Sequence, residues 1–121
     1  MANILVVEDS NIEATILTNC LQKSGFQVRS VTTAEAAKAM LTEQNFDAIL
    51  MDVVLPGQSG FGLCRELKKQ EKTADIPIII CSSKSEKFDK SWGLKQGAYA
   101  YLCKPIKEEE IIQTLKGLIH Q

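Results

Sequence analysis

Five times along this chain a short apolar run is followed by a stretch whose apolar residues recur at helical spacing, and that alternation leaves few folds open. The runs are Asn3 to Val7, Phe26 to Val31, Asp47 to Asp52, Ile76 to Cys81 and Tyr99 to Cys103. Ala48-Ile49-Leu50-Met51 and Ile78-Ile79-Ile80 lack the polar alternation of a half-exposed strand, so they predict strands buried on both faces. Phe26 to Val31 alternates in part, which suits an edge strand. Pro77 stands at the start of its run, where a missing N–H is tolerated. Strand–helix pairs in this order predict an α/β fold: a doubly wound, five-stranded parallel sheet with helices on both faces and right-handed crossovers.

The helical stretches carry their own punctuation. Ser10-x-x-Glu13 has the form of a capping box, and Ile16, Leu17, Cys20 and Leu21 form the stripe that follows, with Gly25 as its stop. Thr32 or Thr33 caps a second helix, whose stripe is Ala36, Ala37, Met40 and Leu41. Phe61, Cys64 and Leu67 mark a third, fading into the polar stretch Lys68 to Asp75. The fourth carries Phe88 and Trp92 one turn apart, and Gly93 and Gly97 predict that it is loose or short. The fifth has Glu108, Glu109 and Glu110 in its first turn, where the helix dipole favours acids, and the strongest stripe of all: Ile111, Ile112, Leu115, Leu118 and Ile119.

A chain of 121 residues holds one domain with one core. A net charge of -1 and a pI near 5.8 give no field that would favour nucleic acid. The apolar runs are too short to span a bilayer, and the first of them meets acids at once, unlike a signal peptide. Cys20, Cys64, Cys81 and Cys103 lack zinc or CxxC spacing and sit in apolar-periodic segments. They read as buried, reduced thiols of a cytoplasmic protein, Cys81 and Cys103 being the nearest candidate pair for a disulfide. The chain stops as the fifth helix stops, so residues 1–121 are expected to form the domain with no output domain attached.

In a parallel sheet, Glu8-Asp9, Asp52, Ser82 and Lys104 all fall at carboxyl ends of strands, the edge where open α/β sheets bind ligands. Crowded carboxylates repel: each pair at about 4 Å costs on the order of 4 kcal/mol at an effective dielectric of about 20. Such a cluster takes up protons or binds a cation. Mg²⁺ commonly uses one or two protein carboxylates, water and a phosphate oxygen. With the Lys104 ammonium and the Ser82 hydroxyl beside it, the cluster suits an aspartate that attacks phosphorus.

Glu8-Asp9, Met51-Asp52, Pro56-Gly57, Gly60, Ser82, Gly97-Ala98, Tyr101 and Lys104-Pro105 together resemble the receiver domain of two-component response regulators, over nearly the whole chain. The resemblance implies a flavodoxin-like sheet of order 2-1-3-4-5. It implies that Asp52 is the phosphoacceptor, phosphorylated by a sensor histidine kinase or phosphotransfer domain. Glu8, Asp9, Asp52 and the Val54 carbonyl would hold Mg²⁺, with Asp9 the direct ligand. Ser82 would be the switch hydroxyl, Tyr101 the switch aromatic, Lys104 the phosphate-binding lysine, and Lys104-Pro105 a cis bond. The run from Trp92 through Lys104 is similar to the single-domain regulators of chemotaxis and pilus-driven motility.

The resemblance implies a monomeric signalling protein that catalyses only its own phosphorylation and dephosphorylation and signals by phosphorylation-dependent protein binding in chemotaxis, phototaxis or pilus motility. A phosphate sink for a shared kinase and a stand-alone phosphorelay receiver are the alternatives. The resemblance points to an output face made by the fourth helix, fifth strand and fifth helix, where Lys87, Lys90 and Lys95 suit an acidic partner. Val54 and Lys84 stand where the chemotaxis regulator has polar and acidic groups that position the hydrolytic water, so a long-lived phosphoryl group is expected. A flavin-binding domain would need a hydroxyl- and glycine-rich loop where Glu8-Asp9 stands. A haloacid-dehalogenase-type phosphatase would need an acid in place of Val54.

Overall fold

The structure, a computed structural model, describes residues 2–119. Its elements alternate as β1 Asn3–Val7, α1 Asn11–Lys23, β2 Gln27–Val31, α2 Ala34–Glu43, β3 Ala48–Met51, α3 Gly60–Lys69, β4 Ile78–Ser82, α4 Lys87–Lys95, β5 Ala100–Cys103 and α5 Glu108–Leu118. All five strands run parallel in the order β2-β1-β3-β4-β5. Val7 pairs with Met51, so the residues that follow them, Glu8 and Asp52, leave the sheet side by side.

Two apolar layers flank the sheet, because successive strand residues point to opposite faces. Leu5, Val7, Ile49, Met51, Ile78 and Ile80 face α2 and α3 through Ala37, Leu41, Leu63 and Leu67. Ile4, Val6, Leu50, Ile79 and Cys81 face α1 and α5 through Leu17, Leu21, Ile111 and Leu115. β3 and β4 are buried along their whole length, as their unbroken apolar runs require, whereas β2 is the half-exposed edge.

The helix ends follow from side chains and one glycine. Thr33 Oγ1 accepts from Ala36 N and Ser59 Oγ from Gly62 N, so Thr33 rather than Thr32 is the cap of α2. Gly25 closes α1 at φ +92°, and Phe26 N returns to the Leu21 carbonyl at 3.1 Å.

Two sequence expectations need correction. Ile16 does not join the buried stripe of α1; it is 63% exposed, because the arc facing the sheet is centred on Ala14, Leu17 and Leu21. The Ser10–Glu13 capping box forms only its first half: Ser10 Oγ accepts from Glu13 N at 3.3 Å, while the Glu13 carboxylate turns to Lys104.

The four cysteines are free thiols, with Cys20, Cys64 and Cys81 buried and Cys103 half-buried. Cys81 pairs in register with Leu102, and both lie in the layer under α1 and α5. Cys103, the next residue along, therefore points to the opposite face, and the pair suggested by sequence is not aligned for a bond.

Candidate functional site

The carboxyl ends of β1, β3 and β5 bring one ammonium against three carboxylates. Lys104 Nζ donates to Glu8 Oε1 at 2.6 Å, Glu13 Oε2 at 2.7 Å and Asp52 Oδ2 at 2.9 Å. Asp52 sits directly after the buried β3, its N–H bonded to the Val7 carbonyl at 3.0 Å and its Oδ1 accepting from Val54 N at 3.3 Å. Glu8 is 2% exposed and its second oxygen accepts from Ser10 N at 3.1 Å. Gly60 makes the close approach of α3 to this strand end possible. Its N–H bonds the Val53 carbonyl at 2.8 Å, and a Cβ there would lie 2.0 Å from the Asp52 carbonyl oxygen.

Three negative charges around one positive charge leave the pocket short of cation. Burial pushes the Glu8 carboxyl above its ordinary range; the bonds from Lys104 and Ser10 offset this only in part, and the Asp52 charge adds to the rise. Burial pulls the Lys104 ammonium down, but the bonds to Glu13, Glu8 and Asp52 more than reverse this and hold it above an ordinary lysine. The Glu8 shift reports mainly its burial, whereas the Lys104 shift reports the carboxylates gathered around it. Oxygens of Glu8, Glu13 and Asp52 lie within 4.8 Å of one another, a donor set of the hard oxygen type that Mg²⁺ takes. Asp9, expected from sequence as the direct metal ligand, is exposed and stands outside this trio.

Beside the acid pocket, the end of β4 forms a second small network. The Ser82 hydroxyl, fully buried, accepts from Lys84 N at 3.2 Å. The Tyr101 hydroxyl donates to the Lys84 carbonyl at 2.5 Å, and its ring lies over Gly93, where a Cβ would meet the ring at 2.7 Å. Burial pushes the Tyr101 phenol up, so it stays a donor at neutral pH. Lys104-Pro105 is cis and directs the chain out of β5 into the loop before α5, with Lys104 N on the Ser82 carbonyl at 2.9 Å.

Residues 4–116 match the family described as response regulator receiver domain. The chain belongs to that family. Protein PilH of Pseudomonas aeruginosa is 40% identical to this receiver over 119 residues, covering 98% of each chain. The receiver domain of a sensor histidine kinase from Pseudomonas aeruginosa, solved with a magnesium ion coordinated in its active site cleft, superposes with a TM-score of 0.90 at 32% identity, covering 99% of this chain and 98% of that one. Chemotaxis protein CheY4 of Vibrio cholerae gives a TM-score of 0.91 at 28% identity, covering 98% of this chain and 99% of that one.

The structure of this receiver thus brings Glu8, Asp52 and Lys104 into one contact set, and Ser82 and Tyr101 into another joined through the Lys84 backbone. Two participants take roles to which the sequence does not point. Glu13 looked like a helix cap, and no local signal says that its carboxylate reaches a lysine 91 positions away. At Lys84 the sequence points to the charged side chain, whereas the N–H and carbonyl are the parts that link Ser82 to Tyr101. The Tyr101 hydroxyl can reach the Lys84 carbonyl because Gly93 has no side chain to occupy the ring's place.

Proposed function

We propose that this receiver accepts a phosphoryl group on Asp52 from a phosphohistidine donor and passes the signal on by binding a protein through its α4–β5–α5 face. The observation that carries the reading is the buried Asp52 carboxylate at the end of β3 with Lys104 Nζ at 2.9 Å inside a net negative pocket. An Asp52 oxygen forms the new O–P bond as the donor's N–P bond breaks. The electron pair of that bond stays on the donor nitrogen, which takes up a proton. Lys104, held above the ordinary lysine range, stays charged throughout and stabilises the phosphoryl oxygens. Val54 N and Lys104 fix the carboxylate before the donor arrives, so little reorganisation is needed.

Asp52, Glu8, Asp9 and the Val54 carbonyl are the proposed holders of Mg²⁺; the pocket's negative balance and the magnesium ion in the Pseudomonas receiver support Glu8 and Asp52, while Asp9 and the Val54 carbonyl rest on the family resemblance. Bound there, the cation supplies charge to the oxygens of the transferring group. The donor reaches Asp52 past α1, whose Ile12 and Ile16 are 74% and 63% exposed beside Glu13. The proposed site of action is the cytoplasm, a reading that rests on the family alone.

An active output is favoured over a phosphate sink by the surface of α4. Phe88, Trp92 and Tyr99 are 71%, 48% and 56% exposed, and Lys84, Lys87, Lys90 and Lys95 are exposed around them. An aromatic and basic surface suits a protein partner with acidic and apolar side chains. The likeness to PilH supports an output in pilus motility or a related chemosensory response. Incubation with a phosphodonor and Mg²⁺ tests the chemistry: a phosphoryl adduct forms on the wild type and is lost in Asp52→Asn and on chelation. Undiminished labelling of Asp52→Asn would show another acceptor. Tyr101→Ala leaves labelling intact and weakens phosphorylation-dependent partner binding. Equal partner affinity with and without beryllofluoride would favour the sink.

A further inference from the structure

We propose that Glu13 is a positioning residue for Lys104, competing with the phosphoryl group for the same ammonium; the inference rests on the phosphoacceptor role of Asp52. A lysine ammonium has three protons to donate, and here Glu8, Glu13 and Asp52 take all three. The lysine side chain is 13% exposed, so water has little part in its coordination. A phosphoryl oxygen arriving at Asp52 meets an ammonium already saturated.

The three carboxylates are not equally held. Glu8 is buried, with its other oxygen fixed by Ser10 N, and Asp52 is fixed by Val54 N. Glu13 stands on the first turn of α1 with its side chain 44% exposed, so it can leave Lys104 for water at the least cost. Its placement is not that of a helix cap. In a capping box the Glu13 carboxylate would accept from Ser10 N; here that N–H goes to Glu8 Oε2 instead, and Glu13 is released to reach 2.7 Å from Lys104 Nζ. Two effects then act in one direction. Glu13 occupies one of the ammonium's protons, and its charge opposes the incoming phosphoryl charge. The residue lowers the occupancy of the phosphoryl-bound arrangement and holds Lys104 ready when Asp52 is free.

Beryllofluoride titration at saturating Mg²⁺, followed by calorimetry on wild type, Glu13→Gln and Glu13→Asp, tests this. Glu13→Gln keeps the length and loses the charge, and binds beryllofluoride about fivefold more tightly, the size expected for one half-exposed ion pair. Glu13→Asp keeps the charge on a shorter arm and gives a smaller gain. Thermal denaturation establishes that each variant is folded, and a Mg²⁺ titration without beryllofluoride separates the two roles open to a carboxylate here. Unchanged or weaker beryllofluoride binding by Glu13→Gln overturns the inference, and a large parallel loss of Mg²⁺ affinity would assign Glu13 to the cation instead. Wild-type protein that takes up no beryllofluoride sinks the Asp52 reading itself, whereas wild-type uptake with an unchanged Glu13→Gln value sinks only the role of Glu13.

Discussion

Gly60→Ala is expected to unseat the acceptor aspartate, and the same helix contains its control. A methyl group at residue 60 would stand 2.0 Å from the Asp52 carbonyl oxygen, 2.8 Å from the Asp52 carbonyl carbon and 2.8 Å from Val53 Cα. All three are backbone atoms of the β3 exit, so no side chain can swing aside. Relief requires α3 to back away from the strand by about an ångström, comparable to an overpacked core, which costs about 1–3 kcal/mol. The movement also stretches the 2.8 Å bond from Gly60 N to the Val53 carbonyl, worth roughly 1 kcal/mol. The helix gains at most about 1 kcal/mol from alanine's propensity. The net loss is therefore about 1–3 kcal/mol, with Asp52 displaced from Lys104. At Gly62, two residues on, the nearest atoms are 3.5 Å away on the Gln58 side chain, and Gly62→Ala should be neutral or stabilising by up to about 1 kcal/mol. Urea denaturation of both variants, with phosphodonor labelling of Asp52 alongside, is the measurement. Equal stabilities for the two variants, or full labelling of Gly60→Ala, would refute the argument that backbone contact at residue 60 sets the acceptor.

Gly93→Ala places a methyl 2.7 Å from the Tyr101 ring, so the ring should leave and the bond to the Lys84 carbonyl should break. Unchanged ring resonances of Tyr101 would count against it. Val54→Asn combined with Lys84→Glu should shorten the phosphoryl lifetime, since Val54 offers no side-chain hydrogen bond to an attacking water; a wild-type lifetime no longer than the double variant's would end that account. Burial pushes the Cys64 thiol up to about 11 and the Cys81 thiol up to about 12, from an ordinary 9.0. Keeping these thiols neutral contributes stability that is fully present below pH 9.0 and lost as pH rises through the folded values. Cys81→Ala should flatten that alkaline decline while lowering stability at neutral pH through its cavity. Parallel urea-denaturation curves for the two proteins across the alkaline range would contradict the assignment.

The strands, the helix stripes and the positions of Asp52, Ser82 and Lys104 at strand ends were legible in the sequence because each is written locally. An apolar run such as Ala48 to Met51 states its burial within four residues, and the element that follows it states the direction of the crossover. Parallel pairing then aligns the strand ends whatever the loops do, which is why Glu8 and Asp52 emerge together. Tertiary structure decided what local pattern leaves open. Ile16 and Leu17 are adjacent and both apolar, and only packing against the sheet turns one in and leaves the other 63% exposed. Asp9 and Glu13 are both acids near the end of β1, yet the turn of α1 puts Glu13 on Lys104 and leaves Asp9 outside the carboxylate trio. The reason is physical. A lysine with three protons, largely shielded from water, draws in any carboxylate that the backbone lets reach it. Which one can reach depends on the angle between a helix and a strand brought together from opposite ends of the chain.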